Sequence, residues 1–94
     1  MTGDATSTVL IDNDRVRVTR WDFAPGAATG WHRHEYDYVI VPLTDGKLKL
    51  VEPDGDRDSK LVTGAPYFRE TGVEHDVVNT NDHEFAFIEI ETKP

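Results

Sequence analysis

The sequence predicts an all-β fold, a small antiparallel sandwich or barrel, and three observations support this prediction. Short segments in which apolar and polar residues alternate recur along the chain. Turn-forming residues such as Pro25-Gly26 and Asp45-Gly46 separate these segments. No window of about eleven residues repeats its apolar positions with the period of a helix. Short strands at regular spacing, joined by such turns, are typical of an antiparallel sandwich or barrel.

The chain is expected to form one domain after a short N-terminal end. Its 94 residues suffice for a single modest core but not for two. Residues 1–8 are small and polar and predict a flexible end, which leaves residues 9–94 as the folded domain. The predicted strands are, in order, 9–11, 15–23, 32–41, 47–52, 60–63, 67–68, 74–79 and 84–92.

The strand predicted over residues 32–41 has one charged face. Its odd positions begin with Arg33, Glu35 and Asp37, whose charges belong in water. The even positions are therefore expected to face the interior. These interior positions are His32, His34, Tyr36, Tyr38 and Ile40. The alternation thus sets the second tyrosine in line with both histidines and sends the nearby carboxylates outward.

Alternation also assigns the interior faces of other strands. Leu48 and Leu50 are expected to face inward, since the intervening lysines belong in water. His75, Val77 and Asn79 share one face of a later strand. In the last strand apolar residues occupy both faces, which indicates that one side packs against a second sheet or a partner chain.

Composition excludes several classes of partner and site. Ten basic and 18 acidic residues give a net charge of -8, which repels phosphate backbones and anionic membranes. Neither nucleic acid nor a membrane is therefore an expected partner. The absence of cysteine excludes disulfides and thiolate metal sites. Since nothing in the sequence directs the chain elsewhere, a cytoplasmic location is the default expectation.

Three histidines predict a metal site. Side chains two residues apart on a strand point to the same side, so His32 and His34 lie about 7 Å apart along one face. A sheet that closes on itself can bring His75 alongside as a third nitrogen ligand. Neutral imidazole is the commonest ligand of first-row transition metals. We therefore expect one divalent ion per chain, with Fe, Mn, Ni, Zn and Cu all open as its identity.

A site of this kind would be of the catalytic type. Three protein ligands leave coordination positions open for water or a chelating small-molecule substrate, unlike a closed structural site. Because a ligating imidazole must be unprotonated, metal binding is expected to fade below about pH 6.5.

Two stretches of the chain resemble the paired motifs of the cupin superfamily, G-x5-H-x-H-x3,4-E-x6-G and G-x5-P-x-G-x2-H-x3-N. The residues that match are Gly26, His32 and His34 in the first motif, and Gly64, Gly72, His75 and Asn79 in the second. Three positions depart from the pattern. The glutamate position of the first motif holds Tyr38 (or Val39), Gly46 comes one residue late, and Glu70 stands where proline is usual.

The resemblance implies a cupin-type jelly-roll β-barrel that binds a metal through its histidines. It also implies a homodimer, because small cupins commonly pair by adding a strand to a partner's sheet, and the apolar segment 9–11 is suited to that role. Segments 31–43, 72–79 and 84–91 are similar to those of small bacterial cupins associated with β-alanine degradation.

Tyr38 has two interpretations because it replaces the family's glutamate. As a phenolate it would ligate the metal, which requires its pKa to fall from about 10. As a neutral phenol it would lie beside the metal site or hydrogen-bond a bound substrate, and this is the interpretation that we favour. It is then the candidate catalytic residue, as a proton donor. The candidate substrate-pocket residues are Tyr36, Ile40, Leu48, Leu50 and Val77.

Three functional classes fit these features. The first is a metal-dependent enzyme, a dioxygenase, isomerase or lyase, acting on a small oxygenated or carboxylate metabolite. The second is a non-catalytic small-molecule-binding cupin. The third is an accessory barrel whose histidines only fill the core. Catalysis would rely on the metal, since no lysine, nucleophile or carboxylate pair is expected inside the barrel.

Overall fold

The computed structural model describes residues 3–94, and this part of the chain contains strands and no helix. The strands are β1 (Thr6–Asp12), β2 (Val16–Phe23), β3 (His32–Arg33), β4 (Asp37–Pro42), β5 (Gly46–Glu52), β6 (Gly55–Leu61), β7 (Tyr67–Arg69), β8 (Glu74–Asn79) and β9 (Phe85–Thr92). Neighbouring strands pair antiparallel, as expected for this fold class. Within residues 3–94 there is accordingly no helix that could cross a membrane.

The strands form two sheets that share one core. The larger sheet has the order β1-β2-β9-β4-β7, and the smaller has the order β3-β8-β5-β6. Phe23 and Phe85 of the larger sheet join Leu48 of the smaller sheet in one buried apolar cluster. The all-β prediction is confirmed, and the jelly-roll arrangement fits the two packed sheets. The two sheets remain separate and do not close into one continuous barrel.

The first strand starts earlier than the sequence predicts. β1 begins at Thr6 and pairs with β2 along its length, with a bulge between Val9 and Ile11. Backbone pairing needs no apolar side chain, so the polar residues 6–8 can join the ladder. They are therefore strand residues in this structure. Residues 1 and 2 lie outside the described residues, and the division of the chain at residue 9 stays a prediction.

The predicted strand 32–41 is two strands that belong to different sheets. β3 lies in the smaller sheet and β4 in the larger, so the chain crosses between them at residues 34–36. His34 is held at the crossing because its amide donates to Val73 O and its carbonyl accepts from Gly72 N, both at 2.9 Å. The alternation of faces is interrupted here. Tyr36 lies on this crossing and is half-buried, with its ring 5.8 Å from the guanidinium carbon of Arg17, and its role as a pocket residue stays a prediction.

The two motif regions are locked together by two asparagines. Asn79 is completely buried at 0% exposure, and its amide donates to the carbonyls of Phe23, Ala24 and His83 at 3.0–3.3 Å. Its Oδ1 accepts from the backbone amide of Asn81 at 2.9 Å. The second asparagine in turn bonds the backbone at residue 47 through both side-chain atoms. Asn79 therefore fixes the turn that leads into β9.

We expect Asn79→Ala to lower the free energy of unfolding by about 2–4 kcal/mol, because several buried carbonyls lose their donor at once. Asn13→Ala is the matched control, since Asn13 is exposed and bonds only the amides of its own turn. It should cost about 1 kcal/mol or less. Urea denaturation measures both variants. Equal destabilisation of the two would contradict the role given to Asn79.

Candidate metal centre

The three histidines singled out from the sequence lie together on the inner side of the smaller sheet. His32 on β3 and His75 on β8 are direct partners in the ladder, and His34 follows just beyond β3. Their Nε2 atoms converge, with separations of 3.0 Å from His32 to His34 and 3.0 Å from His34 to His75. One nitrogen from each ring lies within 4.8 Å of the others, so a single ion could contact all three.

The hydrogen bond at Nδ1 of His32 determines that the other ring nitrogen presents its lone pair to the cluster. Its Nδ1 lies 2.9 Å from Gly30 O, and because a carbonyl can only accept, Nδ1 carries the proton. The Nε2 of His32 therefore presents its lone pair to the other rings. Gly30 is itself fixed, since its amide donates to Asp76 Oδ1 at 3.0 Å.

Hydrogen bonds among the three rings do not satisfy the cluster. His34 Nε2 touches both other Nε2 atoms at 3.0 Å, but one N–H is directed at one acceptor only. If His34 Nε2 carries a proton and donates it to His32 Nε2, it has no lone pair left to accept from His75, so that contact is not a hydrogen bond. If His34 Nε2 carries no proton, its lone pair opposes the lone pair of His32 Nε2. A cation shared by three lone pairs removes this conflict, so the donor set fits a divalent transition metal.

Burial keeps two of these imidazoles neutral. It lowers the pKa of His34 to about 3, helped by the neighbouring His32 and His75. It lowers the pKa of His75 to about 4, with His32 again adding to the effect. Both rings thus stay in the form that ligates metal well below the pH of about 6.5 expected for an ordinary histidine. The Nδ1 of His75 is buried and has no hydrogen-bond partner among residues 3–94.

Tyr38 packs directly on the cluster. Its ring stacks on the His34 ring with centroids 3.9 Å apart and the planes 17° from parallel. Burial raises the pKa of Tyr38 above its usual value, and Tyr67 and Glu89 add to this effect. The phenol therefore keeps its proton, which favours the neutral form over a phenolate ligand. Its stacking also holds the His34 ring in place.

Four of the five residues predicted to form a substrate pocket line a small inner cavity. Ile40, Leu48, Leu50 and Val77 surround a space of about 20 Å³ together with the histidines. A volume of this size holds roughly one water molecule. In this structure the four residues form a packed floor of the site, and their role as a substrate pocket stays a prediction. Tyr36, the fifth predicted pocket residue, is not part of this cavity.

A larger cleft opens on the other side of the histidines. It has a volume of about 440 Å³ and is the space in which a small metabolite fits. Its lining residues include Arg17, Thr19, Trp21, His32, Arg33, His34, Glu89 and Glu91. His32, His34, Trp21 and Glu89 line both the cleft and the inner cavity. The histidine cluster therefore lies between a polar cleft and an apolar floor.

Sequence analysis missed the charged residues of this cleft. On β9 the buried positions are Phe85, Ala86, Phe87, Glu89 and Glu91, and the two carboxylates share the face of the two phenylalanines. The alternation of that strand contained this signal, but the apolar residues on both faces obscured it.

Comparison with known proteins identifies the family. The model of the cupin domain matches residues 19–91. The beta-alanine degradation protein BauB of Pseudomonas aeruginosa is 58% identical over 89 residues, which cover 95% of this chain and 94% of that protein.

Solved structures agree. A cupin domain from Bordetella pertussis is 53% identical with a TM-score of 0.99, over 100% of this chain and 98% of that one. The polyketide cyclase RemF from Streptomyces resistomycificus is 27% identical with a TM-score of 0.76, over 97% and 66% of the two chains. The resemblance noted in the sequence is thus confirmed, and the chain belongs to the cupin domain family.

Proposed function

We propose that this chain is a metal-dependent enzyme that acts on a small oxygenated carboxylate. The observation that supports this most directly is the convergence of three Nε2 atoms at the border of a cleft large enough for a metabolite. A divalent ion at His32, His34 and His75 would supply a Lewis acid with open coordination positions. The cluster contains no carboxylate among the residues described, so the ion would keep its full charge and attract anionic ligands.

The identity of the ion stays open among Fe, Mn, Ni, Zn and Cu, since imidazole nitrogens are ligands of each of them. Three protein ligands would leave positions open to water or to a chelating substrate.

The names of two relatives suggest a substrate class. One takes part in beta-alanine degradation and the other is a polyketide cyclase. Replacement of the amino group by a carbonyl oxygen turns a β-amino acid into a 3-oxo acid. Polyketides are built of the same 1,3-dicarbonyl units. Such compounds chelate a metal through two oxygens. We propose a 3-oxo acid as the substrate, with Arg33 in the cleft as a cation for its carboxylate.

We expect about one divalent ion per chain in protein purified without an affinity tag. Because burial lowers the pKa values of His34 and His75 to about 3 and 4, these two rings should stay available as ligands at pH 5.5, where ordinary imidazoles are mostly protonated. Elemental analysis after dialysis measures this. His34→Ala should abolish binding, and His83→Ala, which alters the remaining, exposed histidine, should not. Full metal content in the double variant His32→Ala, His75→Ala would contradict the ligand assignment.

Tyr38→Phe tests the proposed catalytic residue. The variant keeps the stacked ring and removes only the hydroxyl, so we expect the metal content to be unchanged. Binding of an anionic probe such as malonate, measured by calorimetry, should weaken by about 0.5–1.5 kcal/mol if the phenol donates a hydrogen bond to it. Tyr67→Phe is the matched control in the same inner cavity. Loss of metal in Tyr38→Phe would mean that Tyr38 is a ligand after all.

The proposed homodimer would use the outer face of the larger sheet. Strand register aligns one apolar residue from each strand in a continuous row: Ile11, Val18, Ile90, Val39 and Phe68. Paired residues point to the same side of a sheet, so these side chains form one surface. The row ends in Ile11 at 49% exposure and Phe68 at 54%. β1 is also an edge strand with one free side, which supports the pairing expected from segment 9–11.

Light scattering should give twice the 10.6 kDa mass of one chain. The double variant Ile11→Asp, Phe68→Asp should shift the mass toward one chain, because it places charges in an apolar contact. Val62→Asp is the control, since Val62 is equally exposed but lies outside the row. A wild type that is monomeric at micromolar concentration would exclude the dimer.

A further inference from the structure

Two carboxylates of β9 face the interior beside the candidate site. Glu89 is 8% exposed and Glu91 is 6% exposed. In the sheet register Glu89 lies between Thr19 and Ile40, and Glu91 lies between Arg17 and Tyr38. A buried carboxylate costs free energy unless a partner compensates for it. What each carboxylate contacts therefore decides its chemistry.

Only one of the pair has a cation. Arg17 binds Glu91 in a bidentate ion pair, with Nε to Oε1 at 2.8 Å and Nη2 to Oε2 at 3.0 Å. Glu89 takes part in none of the ion pairs found in residues 3–94. Burial, together with the charge of Glu91, raises the pKa of Glu89 to about 7. Of the two neighbouring carboxyl groups, one is thus bound by Arg17 and the other is able to exchange its proton near neutral pH.

The surroundings of Glu89 distinguish it from the phenols nearby. Tyr38 and Tyr67 line the same inner cavity, and burial is the main cause that raises the pKa of each. They hold their protons at neutral pH, so they can donate hydrogen bonds but cannot serve as the base that accepts a proton. Glu89 lines both the inner cavity and the cleft together with His32 and His34.

An unsatisfied donor lies on the same wall. The indole Nε1 of Trp21 is buried and has no partner at hydrogen-bond geometry within residues 3–94, although it lies near enough to Glu89 to favour the charged carboxylate slightly. Trp21 lines the inner cavity and the cleft together with Glu89. A donor and a carboxyl without a cation, side by side, form a place where an oxygen of a ligand can be bound.

We propose that Glu89 is the proton-transferring residue of this site, acting on a 3-oxo acid bound at the histidine cluster. The proposal rests on the proposed function for its substrate class. The Glu89 carboxylate takes a proton from the carbon between the two carbonyl groups. The electron pair of that C–H bond passes to the ketone oxygen, and the protonated Glu89 then returns the proton to that oxygen or to the carbon. The step balances without any further reactant and suits an isomerase or a lyase.

The protonation of Glu89 can be observed without turnover. In protein labelled with ¹³C at the glutamate carboxyl groups, the resonance of Glu89 should titrate near pH 7. Glu89→Gln should remove that resonance. Glu84→Gln, an exposed residue before β9, should leave it unchanged. Titration of every glutamate below about pH 5.5, or survival of the resonance in Glu89→Gln, would overturn the proposal.

Proton transfer is tested with acetoacetate, a simple 3-oxo acid, in D₂O. Proton NMR follows the loss of its C2 signal in the presence of metal-loaded wild type, Glu89→Gln and Glu89→Asp. We expect the acceleration by wild type to fall by about 10²-fold to 10⁴-fold in Glu89→Gln and to be partly kept in Glu89→Asp, with metal content unchanged. His34→Ala gives the rate without a metal site.

Equal rates for wild type and Glu89→Gln would overturn the role of Glu89, as would a wild type no faster than His34→Ala. Failure of the proposed function has a different signature. In that case the wild type contains no metal and does not bind malonate, whereas the NMR titration of Glu89 in the metal-free protein still follows its burial.

Discussion

The site depends on the point at which the chain leaves one sheet for the other. His32 is paired in the smaller sheet, Tyr38 is paired in the larger, and His34 lies on the crossing between them. Its backbone amide and carbonyl are both hydrogen-bonded to the turn before β8, and β8 itself carries His75. Because that turn fixes the crossing, the two motif regions cannot move independently. The convergence of three Nε2 atoms and the stacking of the tyrosine on His34 both follow from this constraint.

A second constraint is the burial of polar groups on the inner face of the larger sheet. Glu89 and Glu91 occupy positions that apolar residues could fill at lower cost, since a buried carboxylate must be neutralised or bonded. Arg17 neutralises Glu91, but nothing comparable meets Glu89 in residues 3–94. Buried titratable groups with displaced pKa values concentrate at functional sites. The larger sheet therefore provides the polar wall beside the histidines, whereas most of the packed floor, Leu48, Leu50 and Val77, belongs to the smaller sheet.

Much of the fold and part of the site could be predicted from the sequence. Alternation and turn residues predicted most strands to within a few residues, and the spacing of the histidines, with the motif glycines, predicted the ligand cluster. Alternation did not show that the extended backbone is interrupted after Arg33, where the chain changes sheet. It also failed to indicate the cleft, since the partner of Glu91 is Arg17, 74 positions away in the sequence. Such contacts arise from sheet order, which local patterns do not contain.

The size of the inner cavity also could not be predicted from the sequence. The inward positions Leu48, Leu50 and Val77 are compatible with a wide pocket or with a filled core, and the packing of the two sheets determines which one forms. The space between them is about 20 Å³, whereas the neighbouring cleft, which His32 and His34 also line, has a volume of about 440 Å³. In this structure the residues predicted as a pocket pack beside the histidine cluster.

The account is tested most directly by a crystal structure of the metal-loaded protein with an anomalous difference map recorded at the absorption edge of the metal. It predicts one peak per chain, about 2.0–2.2 Å from the Nε2 atoms of His32, His34 and His75, with Glu89 outside the coordination shell. A peak elsewhere in the molecule, or one ligated by Glu89 or Tyr38 in place of a histidine, would contradict it.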